Sequence, residues 1–177
     1  MRSSYKELVA EARALAALLL ERRGDLASCV ASRLASGAAF HNRRVSSVGL
    51  QASAVRLVEA LASAVAEEPA SFARYVATRS RLAAQSGGDQ ERLLLLLVAL
   101  QEEAWLLASA HLGARDTGAT LSLLSACIGD ARDMLAHTIA EQACTEDGIC
   151  APEERDPAAE RPDSPQPRPA GAPAGER

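Results

Sequence analysis

The stretch that decides the fold is residues 93–100, which read LLLLLVAL and lead directly into Gln101, Glu102 and Glu103. A helix that is apolar on every side must be surrounded by other helices or by lipid. A bilayer span needs roughly 20 apolar residues. This run is much shorter and ends at three polar residues, which argues against lipid. The run therefore predicts the buried middle of a soluble helical domain.

The chain of 177 residues divides into a helical domain of residues 1–150 and a tail of residues 151–177. Seven of the eight prolines lie at Pro152 or later, and the tail has no Leu, Ile, Val or aromatic residue. Such a segment cannot bury enough apolar surface to offset the entropy of ordering it, so we expect a disordered, Pro-rich tail. The domain itself is long enough to bury a stable core.

Charge and cysteine usage narrow the class of protein. The net charge of −4 argues against a nucleic-acid-binding protein that relies on phosphate contacts. The N-terminal segment carries charged residues at helical spacing where a signal peptide would be uninterrupted and apolar, so we expect a cytoplasmic protein without membrane insertion. The four cysteines match no secreted disulfide pattern. Cys29 and Cys127 fall on apolar helix faces and are predicted to be small core residues.

Helical periodicity recurs from end to end, and nothing resembles a strand. We predict an all-α fold of about six helices, either globin-like or a helical bundle. A five-helix alternative, in which the first two helices are continuous through Gly24, fits the residues equally well. The expected helix boundaries are Ser4 with Glu7, Gly24 with Asp25, Ser47, Pro69, Gly87 to Asp89, Gly113, Thr117 and Cys144. The predicted buried faces include Leu8, Leu15, Leu19, Val48, Leu57, Phe72, Val76, Leu82, Leu124 and Ile128.

Histidines and cysteines are weak candidates for cofactor or metal binding. An all-α domain of this size is compatible with haem binding, and His111 and His137 are the candidates for the axial ligand of the iron. The simpler interpretation gives His111 a place at a helix C-terminus and His137 a place on an ion-paired face. Cys144 and Cys150 could hold a metal or form a redox disulfide, but two incidental thiols explain them more simply. Aromatic residues are few, and we expect no cofactor.

No catalytic motif stands out, so we expect a protein that is not an enzyme. No Gly-rich phosphate loop, nucleophile elbow or Glu-x-x-His pair occurs in the sequence. Glu102 and Glu103 point about 100° apart on a helix, so they make no catalytic pair and at least one should reach solvent. A buried carboxylate is costly without a partner, so a buried Glu102 or Glu103, near Trp105, would be a candidate signal-sensing group.

Residues 72–87 (FARYVATRSRLAAQSG) are followed by the leucine-rich helix that begins at residue 93, and residues 21–35 form an earlier turn and helix. This arrangement resembles the N-terminal domain of the RsbR/RsbRD co-antagonist family of bacterial stress signalling. The resemblance covers about residues 5–143 and places Arg79, Gln85, Gly87, Leu95, Leu96 and Leu100 at family-like positions.

The resemblance implies a non-haem globin-like fold, usually dimeric, which serves as the input module of a regulator. Such modules normally precede a STAS domain or another output domain, whereas this sequence continues into the Pro-rich tail. An input module of this kind would act on a partner in trans.

We therefore expect a non-enzymatic sensory or regulatory domain that forms a homodimer and contacts an unidentified signalling protein. Its interface is predicted on the first and last helices, because the leucines of the first helix exceed one core-facing stripe. Two alternatives remain open: a module that binds a tetrapyrrole or another apolar ligand, and an adaptor that acts through its tail. The predicted interface residues are Leu15, Leu18, Leu19 and Leu20.

Overall fold

The computed structural model describes residues 5–36, 46–86, 90–112 and 117–147. These ranges contain six α-helices and no strand, which confirms the all-α prediction. The predicted boundary signals Ser4, Gly87 to Asp89 and Gly113, and the predicted tail, lie outside these ranges. The helices are α1 (Tyr5–Glu21), α2 (Arg23–Ser36), α3 (Ser47–Ala66), α4 (Ala70–Gln85), α5 (Gln90–His111) and α6 (Thr117–Asp147).

A single apolar core joins all six helices. Helices α3 and α5 each contact the other five, and the most extensive pairing is that of α4 with α6. Burial of large aliphatic and aromatic side chains in such a core is the main favourable contribution to folding. The largest fully buried side chains include Leu15, Leu19, Leu50, Leu61, Phe72, Leu97, Leu100, Leu124, Ile128 and Leu135.

Helix α5 is covered on one side and only partly on the other. Its main neighbours are α2 and α6, and they bury Leu96, Leu97 and Leu100. Leu95 and Val98 of the same run are only partly buried. The predicted burial of residues 93–100 is therefore correct for the core-facing side of the helix alone.

Two helices, α3 and α5, are long and apolar enough to cross a bilayer by length and composition. Residues 93–100 alone are too short to span a bilayer, but the whole of α5 is 22 residues long and reaches the required length. The core helix of a soluble protein meets the same criterion, and about 44% of the apolar window of α3 is buried inside the protein. For α5 the corresponding share is 33%, which agrees with its partly open side.

The junction between α1 and α2 differs from the prediction. Arg22 separates the two helices, and its N–H donates to the carbonyl of Leu18 at 3.0 Å. The N–H of Leu26 donates to the carbonyl of Arg22 at 2.9 Å, so helical hydrogen bonding continues across the junction. Gly24 lies inside α2, and a Cβ there would meet no atom within 4 Å. Gly24 therefore does not end α1, and the six-helix and five-helix alternatives differ by one residue.

Several residues that periodicity placed in the core are exposed. Leu8, Val48 and Leu82 are 45%, 72% and 52% exposed. Each lies in the first or last turn of its helix, and these ends extend past the packed middle of the domain. Cys29 is also exposed, because the buried face of α2 is formed by Leu26, Ala27, Val30, Ala31 and Leu34.

A small polar cluster connects three helices within the apolar interior. Ser80 of α4 is fully buried, and its hydroxyl oxygen accepts a hydrogen bond of 2.8 Å from the side-chain amide of Gln90. The same amide donates to the side-chain oxygen of Gln142 in α6. Buried polar groups are stable when they are hydrogen-bonded, so this cluster fixes the start of α5 between α4 and α6.

Cys29 of α2 and Cys127 of α6 should differ sharply in reactivity. Cys127 is fully buried, and burial together with the charge of Asp130 raises its pKa to about 11. At pH 8 the thiol of Cys127 is therefore protonated and shielded from solvent, whereas Cys29 is exposed to a thiol reagent. In a Cys144→Ser/Cys150→Ser variant, we expect Ellman's reagent to label one thiol rapidly in the native protein and the second only in denaturant. Rapid labelling of both native thiols would contradict the buried position of Cys127.

Candidate functional site

The open side of α5 carries two large exposed apolar side chains. Trp105 is 40% exposed and Leu106 is 60% exposed, and the partly buried Leu95 and Val98 lie about two to three turns before them. At 100° per residue, these positions and Glu102 fall within a sector about 100° wide. We refer to Leu95, Val98, Glu102, Trp105 and Leu106 as the α5 outer face.

Glu102 and Glu103 share one arginine. The guanidinium of Arg33 in α2 donates from Nε to Oε1 of Glu103 at 2.8 Å, and its Nη2 lies 2.7 Å from the same oxygen. Its Nη1 donates to Oε2 of Glu102. The side chain of Glu103 is only 16% exposed, whereas that of Glu102 is 52% exposed. The prediction that one of the two carboxylates reaches solvent is therefore confirmed.

This triad, formed by Arg33, Glu102 and Glu103, attaches α2 to α5 beside the outer face. Charge-assisted hydrogen bonds to a mostly buried carboxylate offset its loss of hydration, so Arg33 accounts for the position of Glu103 without a sensing role. The pairing also neutralises part of the charge of Glu102. Because Glu102 is paired, burying the outer face against another molecule costs less free energy than burying an unpaired carboxylate would.

The two candidate haem ligands lie apart on the surface. His111 is exposed at the last turn of α5, and its Nδ1 is 3.0 Å from the carbonyl oxygen of Leu107. His137 is 70% exposed on α6, and its Nε2 lies 3.2 Å from Oε1 of Glu141. The structure therefore places each histidine where the simpler interpretation expects it, at a helix end and on an ion-paired face.

The candidate metal residues Cys144 and Cys150 are only half described. Cys144 is partly buried near the end of α6, and Cys150 lies outside the described residues. Within the described ranges, no group of three or more His, Cys, Asp or Glu side chains is placed to hold a metal ion. Pairing of the two thiols stays a prediction.

The four leucines of the predicted α1 interface differ in burial. Leu15 and Leu19 are 0% exposed and belong to the core of the single chain, so they are unavailable to a second copy. Leu18 is partly buried, and Leu20 is 42% exposed. The interface prediction is therefore wrong for Leu15 and Leu19, because these two leucines belong, with Ala12 and Ala16, to the one stripe of α1 that packs into the core.

A mainly apolar cleft of about 350 Å³ lies between α1, the end of α3 and the start of α6. Leu8, Val65 and Leu123 contribute apolar side chains to its walls, and Glu11 is the acidic residue that α1 adds to them. One carboxylate oxygen of Glu11, Oε2, is buried without a hydrogen-bond partner among the described residues. The volume of this cleft falls within the range of small-molecule sites.

Sequence reasoning identified Trp105, Glu102 and Glu103 but not Arg33 or Leu106. Arg33 looks like a basic residue in the last turn of α2, and nothing in the sequence indicates a partner about 70 positions further on. Leu106 lies in an apolar stretch whose sequence gives no basis for separating buried from exposed leucines. The available signal was the sheer number of apolar residues in α5, which is more than one buried face requires.

Comparison of the chain with protein-family models, with curated proteins and with solved structures gave no match.

Proposed function

We propose that this chain is a non-enzymatic regulatory domain that acts through protein contact and forms a homodimer through the α5 outer face. The observation that carries the proposal is the exposure of Trp105 and Leu106 on a helix that is otherwise part of the core. Exposed apolar patches on soluble proteins commonly mark contact sites, and tryptophan is enriched among the residues that dominate binding energy.

A second copy of the chain is the occupant that this face fits best. In a two-fold dimer the same patch meets itself, so a helix face that is apolar along its length is self-complementary. A helix of 22 residues extends about 33 Å, which allows several apolar layers to pair. The dimer interface would then hold Trp105 and Leu106 together with Glu102, whose charge is paired with Arg33.

The same features favour a soluble partner over a lipid surface. Glu102 lies within the outer face, and a carboxylate at membrane depth is costly even when the rest of the helix is apolar. Pairing with Arg33 reduces the charge but leaves the side chain half-exposed to water. These features support a protein without membrane insertion, and the cytoplasmic location is proposed from the sequence.

The signalling role rests on the resemblance of residues 5–143 to the RsbR/RsbRD input domains. A dimeric input module converts a change in one subunit into a changed surface for a second protein. Here that protein is an unidentified signalling partner, and the α1 surface around Leu20, 42% exposed, is available to it when α5 is occupied by the dimer.

Trp105 provides the experiment, because it is the single tryptophan of the chain. The fluorescence of the full chain should shift to longer wavelength on dilution, as dissociation returns Trp105 to its exposed state. Measurements from tens of micromolar to tens of nanomolar should give one transition. An emission maximum independent of concentration across this range, or a blue shift produced only by lipid vesicles, would contradict the proposal.

A second candidate function is a module that binds an apolar ligand, and the cleft between α1, α3 and α6 favours it. The unpartnered Oε2 of Glu11 would be satisfied by a ligand with an amine or hydroxyl donor. Native mass spectrometry of the protein purified from its own cells tests this directly. A bound species that is lost in a Val65→Trp variant, in which the cleft is filled, would support the ligand-binding function.

A further inference from the structure

A second cleft, of about 270 Å³, lies between α3, α4 and α5. It differs from the cleft near Glu11 because cationic side chains enter it. Its volume is slightly below the usual range for small-molecule sites, about 300–1,000 Å³, which restricts it to a small ligand. The residues that decide its chemistry are Leu57 of α3, Tyr75 and Arg79 of α4, and Arg92, Leu93 and Leu96 of α5.

Two guanidinium groups line this cleft, and no acidic side chain does among the residues described there. Arg92 is already engaged in an interaction. Arg79 is half-buried and makes no ion pair or hydrogen bond with any residue that the structure describes. The neighbouring arginine of α4 behaves differently, because Arg74 donates to Glu68 at 2.7 Å. A partly buried cation without a counter-charge is unfavourable, so Arg79 is suited to an anion from outside the chain.

The hydrogen-bond donors in the cleft match a carboxylate. A guanidinium presents paired N–H groups that fit the two oxygens of a carboxylate. Tyr75, which is half-buried beside Arg79, has no hydrogen-bond partner among the described residues and can add an O–H donor. The nearby hydroxyl of Ser53 already donates to the carbonyl of Gly49 at 2.9 Å, so the donors available to a ligand are those of Arg79 and Tyr75.

The rest of the cleft is lined mainly by apolar side chains, with Ser53 and Ser86 as the other polar residues. Leu57 and Leu96 are buried in the core behind it, and Leu93 is partly buried at its side. An inorganic anion would leave this wall in contact with water. We propose that the cleft binds a small amphipathic organic acid, whose carboxylate contacts Arg79 and Tyr75 and whose apolar body lies against Leu57 and Leu96.

Ligand binding here is a property separate from dimerisation. Leu93 and Leu96 fall on the side of α5 turned away from the outer face, and Arg79 and Tyr75 belong to a different helix. The proposal therefore goes beyond the regulatory function and does not depend on it. Sedimentation reports dimerisation, whereas calorimetric titration reports the ligand, so failure of one leaves the other measurable.

Isothermal titration of the full chain with sodium octanoate tests the proposal. We expect saturable binding of one octanoate per chain, with no binding of 1-octanol or octylammonium at equal concentration. The substitution Arg79→Met keeps the apolar stem and removes the charge, and it should weaken binding by at least about tenfold. Arg56→Met is the matched control, because Arg56 is an exposed arginine of α3 that does not line the cleft, and it should bind octanoate like the parent chain.

Thermal unfolding of each variant shows that the fold is retained. If Arg79→Met does not fold, Tyr75→Phe replaces it and should weaken octanoate binding several-fold. The proposal is overturned if the parent chain does not bind octanoate or if Arg79→Met binds it equally well. It is also overturned if inorganic phosphate binds as tightly as octanoate, because the apolar wall would then contribute nothing.

Discussion

Replacing Phe72 by alanine is expected to lower the free energy of unfolding by about 3–5 kcal/mol. Phe72 is the largest fully buried side chain among the described residues and lies in the first turn of α4, the helix that packs most extensively on α6. Truncation removes its transfer free energy and leaves a cavity that the close-packed core cannot fill. This loss is a large fraction of the stability of a typical domain.

Leu82→Ala is the matched control for Phe72→Ala, because Leu82 lies on the same helix and is 52% exposed. Its truncation should cost less than about 1 kcal/mol. Urea denaturation followed by circular dichroism measures both changes. All variants must be compared at one protein concentration, because dimerisation contributes to apparent stability. Equal losses for the two substitutions would contradict the described core.

The second large effect concerns the dimer. Leu106→Glu should raise the dimer dissociation constant by at least about 100-fold, because a two-fold interface contains the substitution twice and each copy buries a new charge. Leu106 is 60% exposed in the single chain, so its substitution should leave the fold intact. Light scattering coupled to size exclusion, across a dilution series, measures the effect.

Two further variants test whether the dimer forms through another surface of the chain. Val48→Glu introduces the same charge at a residue that is 72% exposed on α3 and should leave the dimer unchanged. Leu20→Glu tests the α1 surface that the sequence indicates, and it too should leave the dimer unchanged. If the Leu20→Glu variant is a monomer and the Leu106→Glu variant remains a dimer, the interface lies on α1 and the α5 proposal is contradicted.

Local sequence signals identified the helices well. The periodicity of α6 predicted Leu124 and Ile128 in the core, and both are 0% exposed. Pro69, which was expected to open α4, lies immediately before its first residue, Ala70. Such features depend on hydrogen bonds and side-chain spacing within a few residues, which are available in the sequence itself.

Contacts between helices, and the exposure that depends on them, could not be predicted from the sequence. The sequence gives no indication that Arg33 pairs with Glu102 and Glu103, because that contact depends on how α2 crosses α5. Periodicity placed Val48 in the core, but it cannot show where a helix extends past its neighbours. For α5, in which almost every position is apolar, the hydrophobic pattern does not distinguish the buried Leu97 from the exposed Leu106.

The central claim is that the α5 outer face joins two copies of the chain, and sedimentation equilibrium of the full chain tests it most directly. At tens of micromolar, the proposal predicts a species of twice the chain mass of 18.5 kDa. The parent chain should dissociate only on dilution, and Leu106→Glu should sediment as a monomer at the same concentration. A parent chain that sediments at 18.5 kDa throughout the micromolar range would contradict the account.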